Sequence, residues 1–286
     1  MFSYLERRQG ITKGVHMNVD ELIKVLPSSK QNIQRLDYLM NDAKLPRIAV
    51  FGTYNHGKST LLNALVGNEI FKAADKRETT KIKEHEHNGI VWVDTPGLGA
   101  DVAKEDDRIA KESAFKIADF IFIVHNIQAG ELDKFENQLY SQLMRQDRNY
   151  KKKLFLFLTH TDQLDAEKLE SVRNKIREQK PNLDIFSVSA TRYLKGVSEK
   201  KQKLIEISGM TEVHGFVEKL KGDLVTLRKQ EIKRLVGKAR VELDEIQKSS
   251  RQQLKSYEHK KAKHITQFET HFNNVRDSIK RKIREN

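Results

Sequence analysis

The sequence predicts an α/β protein: a mostly parallel sheet with one antiparallel strand and helices on both faces, flanked by an N-terminal helix and a long C-terminal helical neck or stalk. Three observations carry this. Short β-rich runs at 47–51, 90–93, 120–124 and 154–158 alternate with helical stretches about 12 to 20 residues long, the pattern of crossover connections in a parallel sheet. Asn88-Gly89 sits between a run at 81–87 and the run at 90–93, and this pair favours the positive φ values of a two-residue hairpin turn, so one antiparallel edge strand joins the sheet. Outside this region apolar residues step by threes and fours, the period of helices.

In chain order, residues 1–44 form a helical segment. Its apolar positions are Leu22, Val25, Ile33, Leu36 and Leu39 within 19–40, and Pro27-Ser28-Ser29 breaks it. Residues 45–210 form the sheet domain. Residues 211–286 form a basic helical tail with Ile232, Val236, Ala239, Leu243 and Ile246 on one seam, resumed by Ile265, Phe268, Phe272, Val275, Ile279 and Ile283. Ser250, Leu254, Tyr257 and Lys261 hold that stripe weakly, so a bend, a register slip or a division into two helices is expected there.

Composition narrows the chemistry. The 286 residues include 53 Lys plus Arg against 40 Asp plus Glu, a net charge of +13, and no cysteine. Disulfides, thiol nucleophiles and thiolate zinc sites are thereby excluded, and a cytoplasmic setting is the simplest expectation. The longest apolar runs are five residues, far below the roughly 20 of a bilayer span. The segment before Met17 lacks the features of a secretory signal, and Met17 is an alternative start. From Phe216 onward lie 19 Lys plus Arg against 10 Asp plus Glu, so the excess positive charge is concentrated on the tail. A solvated face opposite a packing seam, an anionic membrane surface or nucleic acid could each use it. His259, His264 and His271 are not spaced as a metal-binding set and read as solvated.

The chemistry-bearing signal follows the 47–51 run. Gly52-Thr53-Tyr54-Asn55-His56-Gly57-Lys58-Ser59 fits G-x-x-x-x-G-K-[ST] and opens into a helix at Thr60. Such a loop curls backbone N–H groups around phosphates, here from Gly52, Tyr54, Asn55, His56, Gly57 and Thr60 among others. Lys58 reaches the β and γ phosphates, and Ser59 offers an oxygen to Mg²⁺. Asp94-Thr95-Pro96-Gly97 follows the 90–93 run, bringing a carboxylate near the same metal and the Gly97 N–H near the γ phosphate. Thr79 and Thr80 precede the next strand, where a hydroxyl can bind Mg²⁺ when the γ phosphate is present; Thr80 is the better placed. Thr159-His160-Thr161-Asp162 ends the 154–158 run, and a carboxylate at Asp162 can accept from guanine N1 and N2, which adenine cannot satisfy. Ser189 and Ala190, after a short strand at 184–186, can present a backbone N–H to guanine O6. GTP is the expected nucleotide.

Taken together, residues 47–191 resemble the translation-factor-related GTPase class. More narrowly, the stretches at 50–67, Thr79-Thr80 and 93–99 resemble bacterial dynamin-like proteins, in which flanking helices build a neck or stalk. The resemblance implies GTP hydrolysis with Mg²⁺, nucleotide-dependent dimerisation or pairing with a second dynamin-like chain, helical movement, and a peripheral position at a membrane. His160 departs from the lysine usual in the class. Leu98 stands where many small GTPases carry a water-orienting glutamine, so another group must orient the water. By resemblance, Asn55 marks members that use K⁺ in place of an arginine finger, which makes Asn55, Lys58 and Thr80 the catalytic candidates. An alternative reading of Asn55 is that it suits the loop backbone. The tail's unburied seam predicts a partner. An alternative function is a GTP-dependent switch docking RNA, a ribosome or a partner protein through the basic tail, although no RNA-binding fold or G-x-x-G clamp is legible after residue 191. No apolar paddle is legible either, which argues against direct membrane insertion.

Overall fold

A computed structural model describes residues 18–71, 82–95, 116–146 and 153–284. The expected alternation is present as β1 (Arg47–Gly52), α3 (Lys58–Val66), β2 (Lys83–His87), β3 (Ile90–Asp94), β4 (Phe120–Asn126), α4 (Lys134–Gln146), β5 (Leu154–Thr159), α5 (Ala166–Gln179), β6 (Asp184–Ser187), α6 (Ala190–Ser198) and α7 (Gln202–Glu206). Before these lie α1 (Val19–Val25), a 3₁₀ turn (Pro27–Ser29) and α2 (Lys30–Asn41); after them comes α8 (Met210–Arg284).

The chain divides into two compact units, one of residues 34–232 and one of residues 1–33 with 233–286. The first holds a six-stranded sheet in the order β2-β3-β1-β4-β5-β6, parallel throughout except for β2 against β3. Asn88 and Gly89 turn that hairpin at φ 50° and 72°, as the dipeptide predicts.

Alternation along the strands divides the core into two layers. Ile48, Val50, Trp92, Phe122 and Phe157 face α3 and the start of α8, whereas Ala49, Phe51, Val93, Ile123 and Leu156 lie in the layer with Leu139 of α4 and Ile176 of α5. Both faces are covered, which is why the central strands read as unbroken apolar runs. Met210, Val213, Val217, Leu220 and Leu224 of α8 step by three and four and are buried in the first layer, so this helix begins as core. Phe216 adds a ring contact to Phe155 with centroids 4.7 Å apart.

Buried charges tie the N-terminal ends of the strands to the helices of this unit. Asp119, just before β4, accepts from Arg35, Arg228 and the Arg47 N–H, while Glu231 accepts from Arg35 and Lys153.

In the other unit, Asn18 caps α1 by accepting from the Glu21 N–H, Pro27 opens the 3₁₀ turn that interrupts the two helices, and the Ser28 N–H donates to Glu242 of α8. The expected division into two helices between Ser250 and Lys261 is absent: α8 is one continuous 75-residue helix. Residues 238–284 contain neither glycine nor proline, and the Gln, Lys, Arg and Glu that replace the seam are strong helix formers, so backbone propensity continues where packing stops. Every residue from 247 to 284 is exposed, including Phe268, Phe272 and Ile279, as the unburied seam predicts.

Candidate functional site

The loop after β1, the end of β3, the loop after β5 and the loop after β6 all lie at the C-terminal ends of parallel strands. There β1 has β3 on one side and β4 on the other, the switch point at which open α/β sheets bind ligands. Gly52 is needed at the root of the first loop, because a Cβ there would lie 2.4 Å from the Val124 carbonyl oxygen of β4.

The loop is held compact by its own lysine. Lys58 Nζ donates to the carbonyls of Gly52 and Thr53 at 3.1 and 3.2 Å, drawing the side chain across the concavity. Gly57 has φ 82° and precedes α3, so the unspent N–H groups of the first turn, from Lys58, Ser59 and Thr60, open toward it. Tyr54 and Asn55 form the crest. Asn55 adopts φ 59°, a left-handed conformation asparagine tolerates well, so the backbone gives it a reason to be there apart from any ion.

Asp94 ends β3 and is 3% exposed. Burial pushes its pKa up to about 6, with the positive charges of Lys58 and Lys83 opposing; burial likewise lowers the Lys58 pKa against the attraction of Asp94. Asp94 Oδ1 is buried without a hydrogen-bond partner. A buried carboxylate oxygen left unpaired is costly, and a divalent cation is the group that would satisfy it while restoring full ionisation. The donor set therefore fits Mg²⁺. Neighbouring Thr95 donates to the Val50 carbonyl at 2.7 Å, fixing the end of β3 against β1. Thr79, Thr80, Gly97 and Leu98 lie outside the described residues.

At the other end of the same edge, Asp162 Oδ1 is also buried without a partner. It lies in a 3₁₀ turn (Thr161–Gln163) that starts from His160 at φ 57°. Thr159 Oγ1 is 2.8 Å from the His56 carbonyl and 2.9 Å from His160 Nδ1, and a Cβ on Gly57 would meet the His160 ring at 3.1 Å. His160 thus packs on the phosphate loop, and burial lowers its pKa, keeping the ring neutral. Ser189 caps α6 by accepting from the Arg192 N–H, and Ala190 is the first helical residue, whose N–H has no intrahelical acceptor. Gly209, at φ 73°, lets the following turn approach: a Cβ there would be 2.2 Å from the Ser187 carbonyl.

Sequence reasoning missed the role of Thr53 within the loop and missed His125, Asp133 and Glu136 behind it. Glu136 accepts from His56 and His125, and Asp133 accepts from Thr53. The available signal was the D-x-x-E spacing of 133 and 136, a helix-capping pattern.

Residues 47–186 match the family model described as 50S ribosome-binding GTPase. An uncharacterized protein of Acinetobacter baylyi is 37% identical over 93% of this chain and 64% of its own length. GTPase Era of Lactobacillus helveticus is 28% identical over 51% of this chain and 48% of its own. Among solved structures, a chain from an oligomerised bacterial dynamin pair, described as sensing and tethering membranes over long range, superposes with TM-score 0.55 at 18% identity, covering 93% of this chain and 52% of that one. The chain thus spans between about half and two thirds of the length of each of these proteins. The dynamin superposition extends well past the 47–186 match.

Proposed function

We propose that residues 47–186, which match a GTPase family model and lie in a fold shared with a bacterial dynamin, form a P-loop GTPase domain, and that this chain binds GTP with Mg²⁺ and hydrolyses it to GDP and phosphate. The carrying observation is the pair of unpaired, buried carboxylate oxygens on one sheet edge, Asp94 at the phosphate end and Asp162 at the base end. When bound, Mg²⁺ would neutralise phosphate charge, and Ser59, Asp94 and Thr80 are the residues that would hold it. Lys58 holds the β and γ phosphates. Gly52, Tyr54, Asn55, His56, Gly57, Thr60 and Gly97 complete the phosphate cradle. Asp162 reads guanine N1 and N2, the Ala190 N–H meets O6 beside Ser189, and Thr159 with His160 walls the base against the loop.

Two such domains facing each other across the nucleotide would complete the site, where Asn55 would hold a K⁺ that offsets the charge between the β and γ phosphates and Thr80 would orient water. This dimerisation moves the helical neck, and the basic α8 meets an anionic membrane surface or a second dynamin-like chain. In this reading residues 45–210 supply the GTPase domain, residues 1–44 the segment before it and residues 211–286 the neck. The ribosome-binding family match ends at residue 186 while the dynamin likeness covers 93% of the chain, which favours this reading over RNA docking by the tail.

The test is GTP turnover per molecule against protein concentration in potassium and in sodium buffer, with Lys58→Ala and ATP as controls. Turnover rising with concentration in potassium alone supports the whole reading. Flat turnover in both salts with intact GTP binding removes self-activation and K⁺, and absence of GTP binding removes the reading itself.

A further inference from the structure

The start of α4 and the phosphate loop share two carboxylates, and each carboxylate divides its oxygens between them. Asp133 and Glu136 form a reciprocal helix cap: the Glu136 N–H donates to Asp133 Oδ1 at 2.7 Å, and the Asp133 N–H donates to Glu136 Oε2 at 3.0 Å. The second oxygen of each faces the loop. Thr53 Oγ1 donates to Asp133 Oδ2 at 2.7 Å, and His56 Nδ1 lies 2.9 Å from Glu136 Oε1. An ordinary cap needs neither of these two contacts.

His125 explains why Glu136 stays an acceptor. Its Nε2 is 3.0 Å from the Gly130 carbonyl, which can only accept, so Nε2 carries a proton. Its Nδ1 is 2.7 Å from Glu136 Oε2, another acceptor, so Nδ1 carries a proton as well and the ring is an imidazolium. Burial opposes the charge on both partners, yet the hydrogen bonds prevail: His125 is raised above the ordinary histidine value and Glu136 is lowered to about 2. With Glu136 ionised, His56 must be the donor in its own contact, which fixes its tautomer and its ring.

The three donor groups of His56, His125 and Glu136 lie within 4.8 Å of one another, the spread of a metal site. The two imidazole–carboxylate separations, 2.7 and 2.9 Å, are hydrogen-bond lengths. Donors on a tetrahedral ion with bonds of about 2.1 Å stand about 3.4 Å apart. A proton on His125 already accounts for the cluster.

Building on the GTPase reading, we infer that Glu136 is a positioning residue for the nucleotide loop, acting through His56, with Asp133 holding Thr53 in the same way. The cap of α4 thereby sets the curvature of the loop whose N–H groups meet the phosphates. His56 and Thr53 bracket Tyr54 and Asn55 on the crest, so freeing them loosens the stretch that must be preorganised for tight binding.

The experiment measures release of fluorescent GDP, and kcat and KM for GTP, for wild type, His56→Ala, Glu136→Gln and the double variant. Hydrogen exchange of the 53–58 amides is read in each without nucleotide. His56→Ala leaves the cap and the His125 pair whole, so it remains informative if Glu136→Gln fails to fold. The expected result is GDP release faster on the order of tenfold in His56→Ala, partial recovery in His56→Asn, which can still donate, and a double variant no faster than the worse single one. Loop exchange rises in step, without loss of protection in β4 or β5. Release at the wild-type rate in His56→Ala, or effects of the two substitutions that multiply independently, overturns the inference. If wild type binds no guanine nucleotide, the GTPase reading fails, while the exchange measurement still decides whether Glu136 and His56 shape the loop.

Discussion

Asp119→Ala should be among the most destabilising single substitutions in the sheet-containing unit. Its carboxylate is 2% exposed and accepts four hydrogen bonds: Oδ1 from Arg35 Nη2 at 3.1 Å and Arg228 Nε at 3.0 Å, Oδ2 from the Arg47 N–H at 3.0 Å and Arg228 Nη2 at 2.6 Å. After truncation Arg35 keeps Glu231 and the Lys116 carbonyl, but Arg228 is left with the carbonyls of Ala43 and Leu45, which do not neutralise it. Removing one side of a buried ion pair costs about 3 to 5 kcal/mol, and the orphaned Arg47 amide about 1 to 3 kcal/mol. The two overlap because the groups relax together, so the expected loss is about 4 kcal/mol, a large share of the roughly 5 to 15 kcal/mol typical of a domain. Asp119→Asn keeps the shape but turns an N–H₂ toward arginine donors, so it should recover less than half of the loss. Urea unfolding followed by the fluorescence of the single tryptophan, Trp92 in β3, reads the change as a shifted midpoint. A loss below about 1 kcal/mol in Asp119→Ala would show that the cluster is solvated in solution and that these contacts are not what joins Arg35 and Arg228 to the strands. The cluster sits at the N-terminal ends of β1 and β4, so the folded fraction should still bind GTP.

Further outcomes follow from the same geometry. Asp162→Asn replaces an acceptor with a donor-bearing amide and should weaken GTP by more than about tenfold while improving xanthosine triphosphate, read by competition binding. Gly52→Ala pushes a Cβ against the Val124 carbonyl 2.4 Å away, so β1 and β4 must part; GTP binding should fall together with the melting temperature. Phe157→Ala removes a fully buried ring packed on Phe122 and Phe186, with an expected cost of about 3 to 5 kcal/mol in urea. Glu136 is held at about 2, below the ordinary carboxylate value, so its contribution to stability is present above that ordinary value and disappears as pH falls toward 2. The wild-type urea midpoint should therefore fall more steeply than that of Glu136→Gln between pH 5 and about 2.

The strands and the site motifs were legible because each is written in neighbouring residues. The apolar runs of β1, β4 and β5 needed no partner to be recognised, and the glycines, lysine and serine of the phosphate loop follow one another without a gap. Asp94 and Asp162 were legible for the same reason, each ending a strand. The capping pair Asp133 and Glu136 left only a short spacing, easily passed over, and nothing local to His125 shows that it would face Glu136 across the end of β4. Arg35, Asp119, Arg228 and Glu231 are spread over nearly 200 positions and read singly as solvated charges until the fold brings them together.

The sequence by itself determined the α/β class, the hairpin at Asn88-Gly89 and the helical C-terminal segment, and it carried the phosphate-loop motif after β1, since all of these depend on periodicity, turn chemistry and adjacency along the chain. Only the tertiary structure decided that α8 begins inside the sheet's core. It also decided that Asn55 takes a left-handed backbone and that α4's capping carboxylates reach the phosphate loop. Those outcomes depend on which side chains folding brings within hydrogen-bond reach and which charges it removes from water, energies that exist only once distant segments meet.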